Sequence, residues 1–356
     1  MDNKPKYQLL KDIIIQDIQK GILKQGDKLP SEIELQKDHN VSRHTVRVAL
    51  EQLENEGVIE KEHGIGSFVK LMNKDRNKTI GVITTYMSDY IFPEIIRGIE
   101  RELTEQGYSM LLVNTNNNST TERKALQMML DNNVEGIIIE PTKSAYYNPN
   151  IDMYLNIRKK GIHLISINAK MEDLDLPFIG INDVEAAYVN TSYLIENNHL
   201  EIGAIFKSDD KQGKERLKGF VTALSEHGLP YRNENIVMYA TEDRDQRLLS
   251  EVSDLIDRKE VTGIVCYNDI IALEVLNICT AKGIRIPQDL SIVSFDNSIL
   301  SMLTSTKITS ISHPQTILGS DAAREIIKMV EDKNYRFNGI VYPVNLDIKE
   351  SVKELK

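Results

Sequence analysis

Polar side chains recur at the carboxyl ends of short, β-branched runs along most of this sequence. Tyr86, Ser88 and Tyr90 follow the run TIGVIT at 79–84. Glu140 lies at the end of VEGIIIEP (134–141), Asn168 at the end of IHLISINA (162–169), and Asp183 closes FIGIND (178–183). Lys207 closes IGAIFK (202–207), Asn268 sits in GIVCYND (263–269), Asp296 in LSIVSFDN (290–297), and His313 follows the apolar pattern of 308–311. In open α/β sheets, ligands bind beyond the carboxyl ends of the strands. Planar carboxylates and amides there suit a ligand rich in hydroxyls, each of which donates and accepts. Aromatic rings cover the apolar C–H face of such a ligand. The chemistry these residues point to is recognition of a carbohydrate.

A second group points elsewhere. Arg43 and Arg47 are four residues apart and share one exposed helix face, opposite Val46, Leu50 and Leu53. An arginine pairs bidentately with guanine O6 and N7, worth about 1–3 kcal/mol of discrimination. His44 and Thr45 at the same helix start reach phosphate or base edges, and the helix N-terminus itself favours a phosphate.

Other chemistries lack their residues. The chain has no H-E-x-x-H pair, no G-x-S-x-G and no P-loop. Its two cysteines, Cys266 and Cys279, match no zinc spacing and read as core thiols. No enzyme activity, cofactor or metal is expected.

The elements that position these residues fall into two regions. In the first 70 residues the pattern is three helices and a hairpin. Ser31 and Glu34 have capping-box spacing, and the helix they start runs to about His39. Ser42 is an N-cap for the next, with Val41 and Val46 as a hydrophobic staple. Two helices joined by a tight Asn40-Val41 turn make a helix-turn-helix whose second helix reads the groove. Glycines 64 and 66 punctuate the hairpin. Residues 71–78 are polar and charged, a linker. From Thr79 onward, nine strand runs in two series alternate with amphipathic helices such as 93–105. That alternation predicts parallel sheets with helices on both faces, in two similar lobes.

Composition sets bounds. At 356 residues the chain suits one small and one large domain. No apolar run approaches the length of a membrane span, so no membrane partner is expected. Residues 1–11 are polar, which predicts a cytoplasmic protein. The net charge of −10 argues against non-specific coating of nucleic acid. Residues 1–70 carry eleven basic and twelve acidic residues, so binding to DNA must rest on where the cations sit.

The hairpin makes the N-terminal segment a winged helix, and residues 4–70 resemble the heads of GntR-type regulators. The matching motifs are Leu29-Pro30-Ser31-Glu32, Val41-Ser42-Arg43-His44-Thr45-Val46-Arg47, Leu53-Glu54-x-Glu56-Gly57 and Gly64-x-Gly66-Ser67-Phe68-Val69. The resemblance implies Glu32, Arg43, His44, Thr45 and Arg47 at the DNA, His63 and Gly64 on the wing, and Lys6 and Tyr7 at the backbone.

Residues 79–356 resemble the effector domain of LacI-type repressors, itself similar to periplasmic sugar-binding proteins. The residues that carry this are Gly81-Val82-Ile83, Phe92-Pro93 with Gly98-Ile99-Glu100, Tyr267-Asn268-Asp269, Ile286-Pro287-Gln288-Asp289 and Ser294-Phe295-Asp296. The combination of the two resembles the arabinose repressors of sugar-degrading bacteria, as do Glu140-Pro141-Thr142-Lys143-Ser144-Ala145 and the stretch 84–93. This implies L-arabinose as effector and Arg216 as a clamp on a hydroxyl pair. It also implies one lobe from about 79–180 and 308–333 and another from about 181–307 and 334–356, joined by three crossings.

The expected fold is thus α/β: an N-terminal winged helix-turn-helix plus a two-lobed, periplasmic-binding-protein-like domain with two parallel sheets. The expected function is a repressor that binds operator DNA as a homodimer and lets go when the sugar closes its lobes. Three rivals stand beside it. A sugar-transport component has no use for a winged helix. An enzyme lacks its motifs. A regulator of the same type for another pentose, a hexose, a purine or a phosphorylated sugar stays open, although arginine is scarce around the proposed site.

Overall fold

The structure, a computed structural model, describes residues 5–62, 65–70, 77–87, 91–242, 244–332 and 334–356. The chain divides into two compact units, 1–77 and 78–356. His63, Gly64, Ser88 and Tyr90 of the expected sites, and most of the expected linker, lie outside the described residues.

The first unit comprises α1 (Lys6–Gln19), α2 (Glu32–His39), α3 (Arg43–Asn55), β1 (Ile59–Glu62) and β2 (Gly66–Val69). Local signals set its boundaries. Ser31 Oγ accepts from Glu34 N while Glu34 Oε2 accepts from Ser31 N at 2.7 Å, the reciprocal capping box. The helix stops at Asn40, whose φ of 50° is left-handed. Ser42 then caps α3 through Thr45 N at 3.2 Å. α3 buries Val46, Ala49, Leu50 and Leu53 against Leu10 and Ile14 of α1 and Leu35 of α2. β1 and β2 pair antiparallel, Ile59 opposite Val69 and Glu62 opposite Gly66.

The second unit holds two six-stranded sheets. Its first part runs β3 (Thr79–Thr84), α4 (Phe92–Glu105), β4 (Ser109–Asn114), α5 (Ser119–Asp131), β5 (Gly136–Ile139), α6 (Ile151–Lys159), β6 (His163–Ile167) and β7 (Phe178–Ile181). Then follow α7 (Asp183–Glu196), β8 (Ile202–Lys207), α8 (Lys211–Glu226), β9 (Ile236–Tyr239), α9 (Leu249–Asp257), β10 (Gly263–Cys266), α10 (Asp269–Ala281), β11 (Ser291–Asp296) and α11 (Leu300–Leu303). β12 (Thr309–Ser312), α12 (Gln315–Glu331), β13 (Ile340–Tyr342) and β14 (Leu346–Asp347) complete it.

The first sheet has the order β13-β7-β6-β5-β3-β4, all parallel. The second has the order β14-β12-β11-β10-β8-β9, parallel except for β14. The period-two pattern of β3 explains the two layers around the first sheet. Ile80 and Val82 pack with Ile95 and Ile99 of α4 and Leu318 and Ile326 of α12. Ile83 faces the other way, toward Leu126 of α5 and Tyr154 of α6. A third core fills the second lobe around Phe206, Phe220 and Phe295.

Two expected boundaries are corrected. β12 was placed with the first lobe, but it pairs with β11 in the second sheet, and the chain crosses only after it, at His313-Pro314. The tail from 334 was placed wholly in the second lobe, but β13 pairs with β7 in the first sheet, and β14 alone returns to the second. An apolar run announces a strand and says nothing of its neighbour, which is chosen by long-range pairing. α12 does lie on the first lobe, where it crosses α4 at glycines. A Cβ on Gly98 would stand 2.2 Å from Thr316 O, and one on Gly319 would stand 2.1 Å from Ile95 O, so only glycine permits this approach.

Candidate functional site

Because the strands of both sheets, β14 apart, are parallel, each sheet presents their carboxyl ends on one side. Those ends meet across a cavity of about 290 Å³ in the second unit. From the first lobe the cavity is lined by Thr85 and Tyr86 after β3, Phe92 at the start of α4, Glu140 after β5 and Asn168 after β6. From the second come Asp183, Lys207, Asp210, Arg216, Tyr239, Tyr267, Asn268, Asp296 and His313. Nine of the eleven residues expected at a sugar site, Tyr86, Glu140, Asn168, Asp183, Lys207, Arg216, Asn268, Asp296 and His313, therefore share one cavity. The other two are Ser88 and Tyr90.

Arg216 is the centre of the second lobe's wall. Its Nε lies 2.7 Å from Asp183 Oδ1, Nη1 donates to Tyr267 O at 2.5 Å, and Nη2 is 3.6 Å from Asp296 Oδ1. Its guanidinium stacks 4.3 Å from the Phe295 ring centroid and 5.0 Å from that of Tyr267. Burial lifts the Asp183 carboxyl to about 6, against the pull of Arg216. Burial alone would lower the Arg216 pKa, but Asp183, Asp296 and Tyr267 outweigh it and hold the guanidinium firmly charged.

α8 must start where it does for Arg216 to reach this place. Asp210 caps the helix through Gly213 N at 2.8 Å. A Cβ at Gly213 would fall 1.8 Å from Lys207 O, so the last residue of β8 and the first turn of α8 touch through a glycine. Asp210 Oδ2 accepts from Tyr267 OH at 2.6 Å and lies 3.2 Å from Lys207 Nζ. Lys207 also stands 5.7 Å over the Tyr86 ring of the other lobe. Its burial penalty is outweighed by Asp210, Tyr86 and Asp209, which keep the ammonium protonated.

The first lobe contributes a carboxylate chain. Glu140 Oε2 accepts from Thr85 N at 3.1 Å and from Thr85 Oγ1, and Oε1 accepts from Asn168 Nδ2 at 3.0 Å. Burial raises the Glu140 pKa, opposed by these hydrogen bonds. Asn168 Oδ1 then faces His313 Nε2 at 3.2 Å across the lobes. Since Asn168 Oδ1 only accepts, His313 Nε2 carries the proton. Burial lowers the His313 pKa and favours the neutral ring. Its buried Nδ1 has no hydrogen-bond partner among the described residues and remains an open acceptor.

Sequence reasoning missed Asp210 and Tyr239 as site residues, and it used Phe92 and Tyr267 only as motif residues. Tyr239 and Tyr267 sit at the ends of β9 and β10, so the strand-end rule that selected Lys207 covers them too. Asp210 was legible as an N-cap three residues after a strand. The cavity is lined chiefly by carboxylates, amides, hydroxyls and aromatic rings. The described cations that line it, Lys207, Arg216 and Arg244, all have carboxylate partners already, Arg244 through Glu274 at 2.6 Å.

The first unit carries the candidate nucleic-acid interface. Arg43 and Arg47 stand out from α3 with side chains 75 % and 60 % exposed. Their acidic neighbours, Glu32 at 3.5 Å and Glu51 at 4.0 Å, hold them weakly. His44 is exposed, and Thr45 Oγ1 is 2.8 Å from Ser42 Oγ at the helix start. Lys6 is exposed on the first residue of α1, whereas Tyr7 packs partly onto the head core.

Comparison with known proteins adds the following. Residues 6–69 match the family of bacterial regulatory proteins, gntR family, and residues 191–352 match the periplasmic binding protein-like domain. The chain is 41 % identical to the arabinose metabolism transcriptional repressor of Halalkalibacterium halodurans, covering 99 % of this chain and 97 % of that one. It is 39 % identical to the protein of the same name from Geobacillus stearothermophilus, covering 99 % and 98 %. Among solved structures, a LacI family transcriptional regulator from Enterococcus faecium with bound ribose superposes with a TM-score of 0.68, at 22 % identity, over 78 % of this chain and all of that one.

Proposed function

Because the chain belongs to the family of the arabinose metabolism transcriptional repressors, we propose that it holds operator DNA with its head and releases it when L-arabinose fills the cleft of its body. It is a sugar-responsive transcription repressor, and proteins of this family are regulators rather than enzymes.

The observation that carries the reading is the wall of the cleft. Glu140, Asp183 and Asp296 accept hydrogen bonds from sugar hydroxyls, Arg216 forks onto a hydroxyl pair, and Asn168, Asn268, Lys207 and His313 Nδ1 take the rest. Tyr86, Phe92, Tyr239 and Tyr267 cover the C–H face. The prior engagement of every described cation in the wall speaks for a neutral sugar over a phosphorylated one.

At the DNA, Arg43 and Arg47 read base edges, His44, Thr45 and Glu32 orient the helix start, and Lys6 and Tyr7 meet the backbone. His63 and Gly64 of the wing complete the contact. The protein works as a homodimer in the cytoplasm. Two features support self-association: the edge strand β4, with half-buried apolar residues from Met110 to Val113, and Ile299, Met302 and Leu303 at the start of and within α11, which are 63 %, 45 % and 75 % exposed. The sugar favours closed lobes, and the closed pair holds its two heads at the wrong spacing for the operator.

The test is fluorescence anisotropy of labelled operator titrated with L-arabinose, other pentoses, hexoses, purine bases and sugar phosphates. L-arabinose should release the DNA at the lowest concentration. Release by a purine or a sugar phosphate alone would overturn the effector assignment, and retention under all of them would overturn the coupling.

A further inference from the structure

The two sheets meet with their crossing segments at one edge. β7 and β13 lie at one end of the first sheet, β12 and β14 at the matching end of the second, and the three crossings leave the ends of β7, β12 and β13. The far ends are β4 and β9. There a cluster of polar groups spans the lobes. Lys143 Nζ, from the loop after β5, lies 2.7 Å from Asp209 Oδ2 and 2.5 Å from Glu242 Oε1. Asn117, after β4, donates from Nδ2 to Thr241 Oγ1 at 2.8 Å and to Asp209 Oδ2 at 3.2 Å.

The cluster is built rather than incidental. Asp209 is fully buried and Lys143 is only 16 % exposed, so their pair is screened far less than a surface pair. The Lys143 backbone sits at a φ of 50°, and its N–H is held by Asn117 Oδ1 at 2.8 Å. Buried Glu122 anchors the same loop through Thr142 N at 2.9 Å and Asn148 Nδ2 at 2.9 Å. A left-handed non-glycine residue persists only where its surroundings over-determine it. Asp209 also lies 3.5 Å from Lys207, which lines the cleft, so the cluster and the cleft share a charge.

We infer that Lys143 is a positioning residue: by pairing with Asp209 at the edge farthest from the crossings, it latches the lobes shut and sets the sugar concentration needed to release DNA. The inference rests on the sugar-responsive reading above. A contact far from the hinge has the longest lever on closure. A ligand that binds the closed form sees its apparent affinity scaled by the fraction of closed molecules.

The experiment uses the full chain carrying Lys143→Met, which keeps the stem and removes the charge, and Lys143→Arg, which keeps the charge. Calorimetric titration with L-arabinose should show affinity about tenfold weaker in Lys143→Met and near the parent's in Lys143→Arg. Operator should be held at least as tightly as by the parent in the absence of sugar, which also reports that the variant is folded. Recovery of affinity in Lys143→Arg, which differs from the parent in shape but not in charge, marks the ion pair as the cause, which a purely structural role would not produce. Sugar affinity in Lys143→Met equal to the parent's overturns the latch. If the parent itself does not bind L-arabinose, the effector reading fails instead. Small-angle scattering of the two chains then decides the latch: lobes further apart in Lys143→Met support it, and identical curves overturn it.

Discussion

Arg216 and Asp183 form a buried ion pair, Nε to Oδ1 at 2.7 Å, with both side chains at most 5 % exposed. The pair joins α8 to the first residue of α7, and its remaining guanidinium nitrogens reach Tyr267 O and Asp296. One cation thereby orients the helix-start carboxylate Asp183 and two strand-end groups of the second lobe, Tyr267 and Asp296. Its geometry is set before any ligand arrives, which lowers the ordering cost of binding.

Arg216→Ala should therefore cost more than a hydroxyl contact. Removing one partner of a buried pair leaves an uncompensated charge, at about 3–5 kcal/mol of stability. Arg216→Lys keeps charge but loses the planar fork. Both should keep operator bound at sugar concentrations that release the parent. Thermal unfolding with operator anisotropy checks this, and a normally induced Arg216→Lys would remove the clamp from the mechanism.

Asp183 and Asp269 each have a folded-state carboxyl raised by burial to about 6, against an ordinary value of 3.8. The folded state then binds protons more tightly than the unfolded one. Stability from these two groups is fully present below the unfolded value and is lost as pH rises through about 6. Sugar affinity should move the other way, because a protonated Asp183 accepts poorly. Calorimetry with L-arabinose across that range should show weaker binding below about pH 6, and Asp183→Asn should flatten much of the dependence. A flat profile in the parent would take Asp183 off the ligand.

Gly213→Ala places a Cβ 1.8 Å from Lys207 O, a backbone atom that cannot move aside without shifting β8 or α8. Overpacking of this kind costs about 1–3 kcal/mol. The larger effect should be functional, since Asp210 and Arg216 ride on that turn. Sugar affinity should fall while operator binding persists, measured by the same titrations. Unchanged sugar binding would mean that the helix start does not govern the cleft.

Arg47→Ala should weaken operator binding by about 1–3 kcal/mol if Arg47 reads a guanine, and leave sugar binding intact. A base contact and a phosphate contact separate in the salt titration. Loss of specificity at one position marks the first, and a shallower salt slope marks the second. Normal repression by this variant would exclude Arg47 from the DNA.

Much of the site was readable before any coordinates because its logic is local. A strand run of period two ends somewhere, and the polar residue at its end lies on the ligand side of a parallel sheet. That rule placed Glu140, Asn168, Lys207 and Asp296 correctly in one cavity, and it failed for Tyr239 and Tyr267 only because it was not applied to them. Helix starts were equally local. Ser31 with Glu34, and Ser42 with Thr45, satisfy N–H groups within three residues of themselves.

The order of residues thus specified element types, their caps and the chemical character of the cleft, since each depends on neighbours a few positions apart. It did not determine which sheet β12 and β13 join: Thr309 pairs with Val293 of β11 and Ile340 with Ile179 of β7, and nothing in either apolar run names its partner. It was silent as well on the contacts between lobes, His313 with Asn168 and Lys143 with Asp209. Those exist only where two separately folded sheets bring distant loops within hydrogen-bond reach, and the energy of that meeting is written in no single stretch of chain.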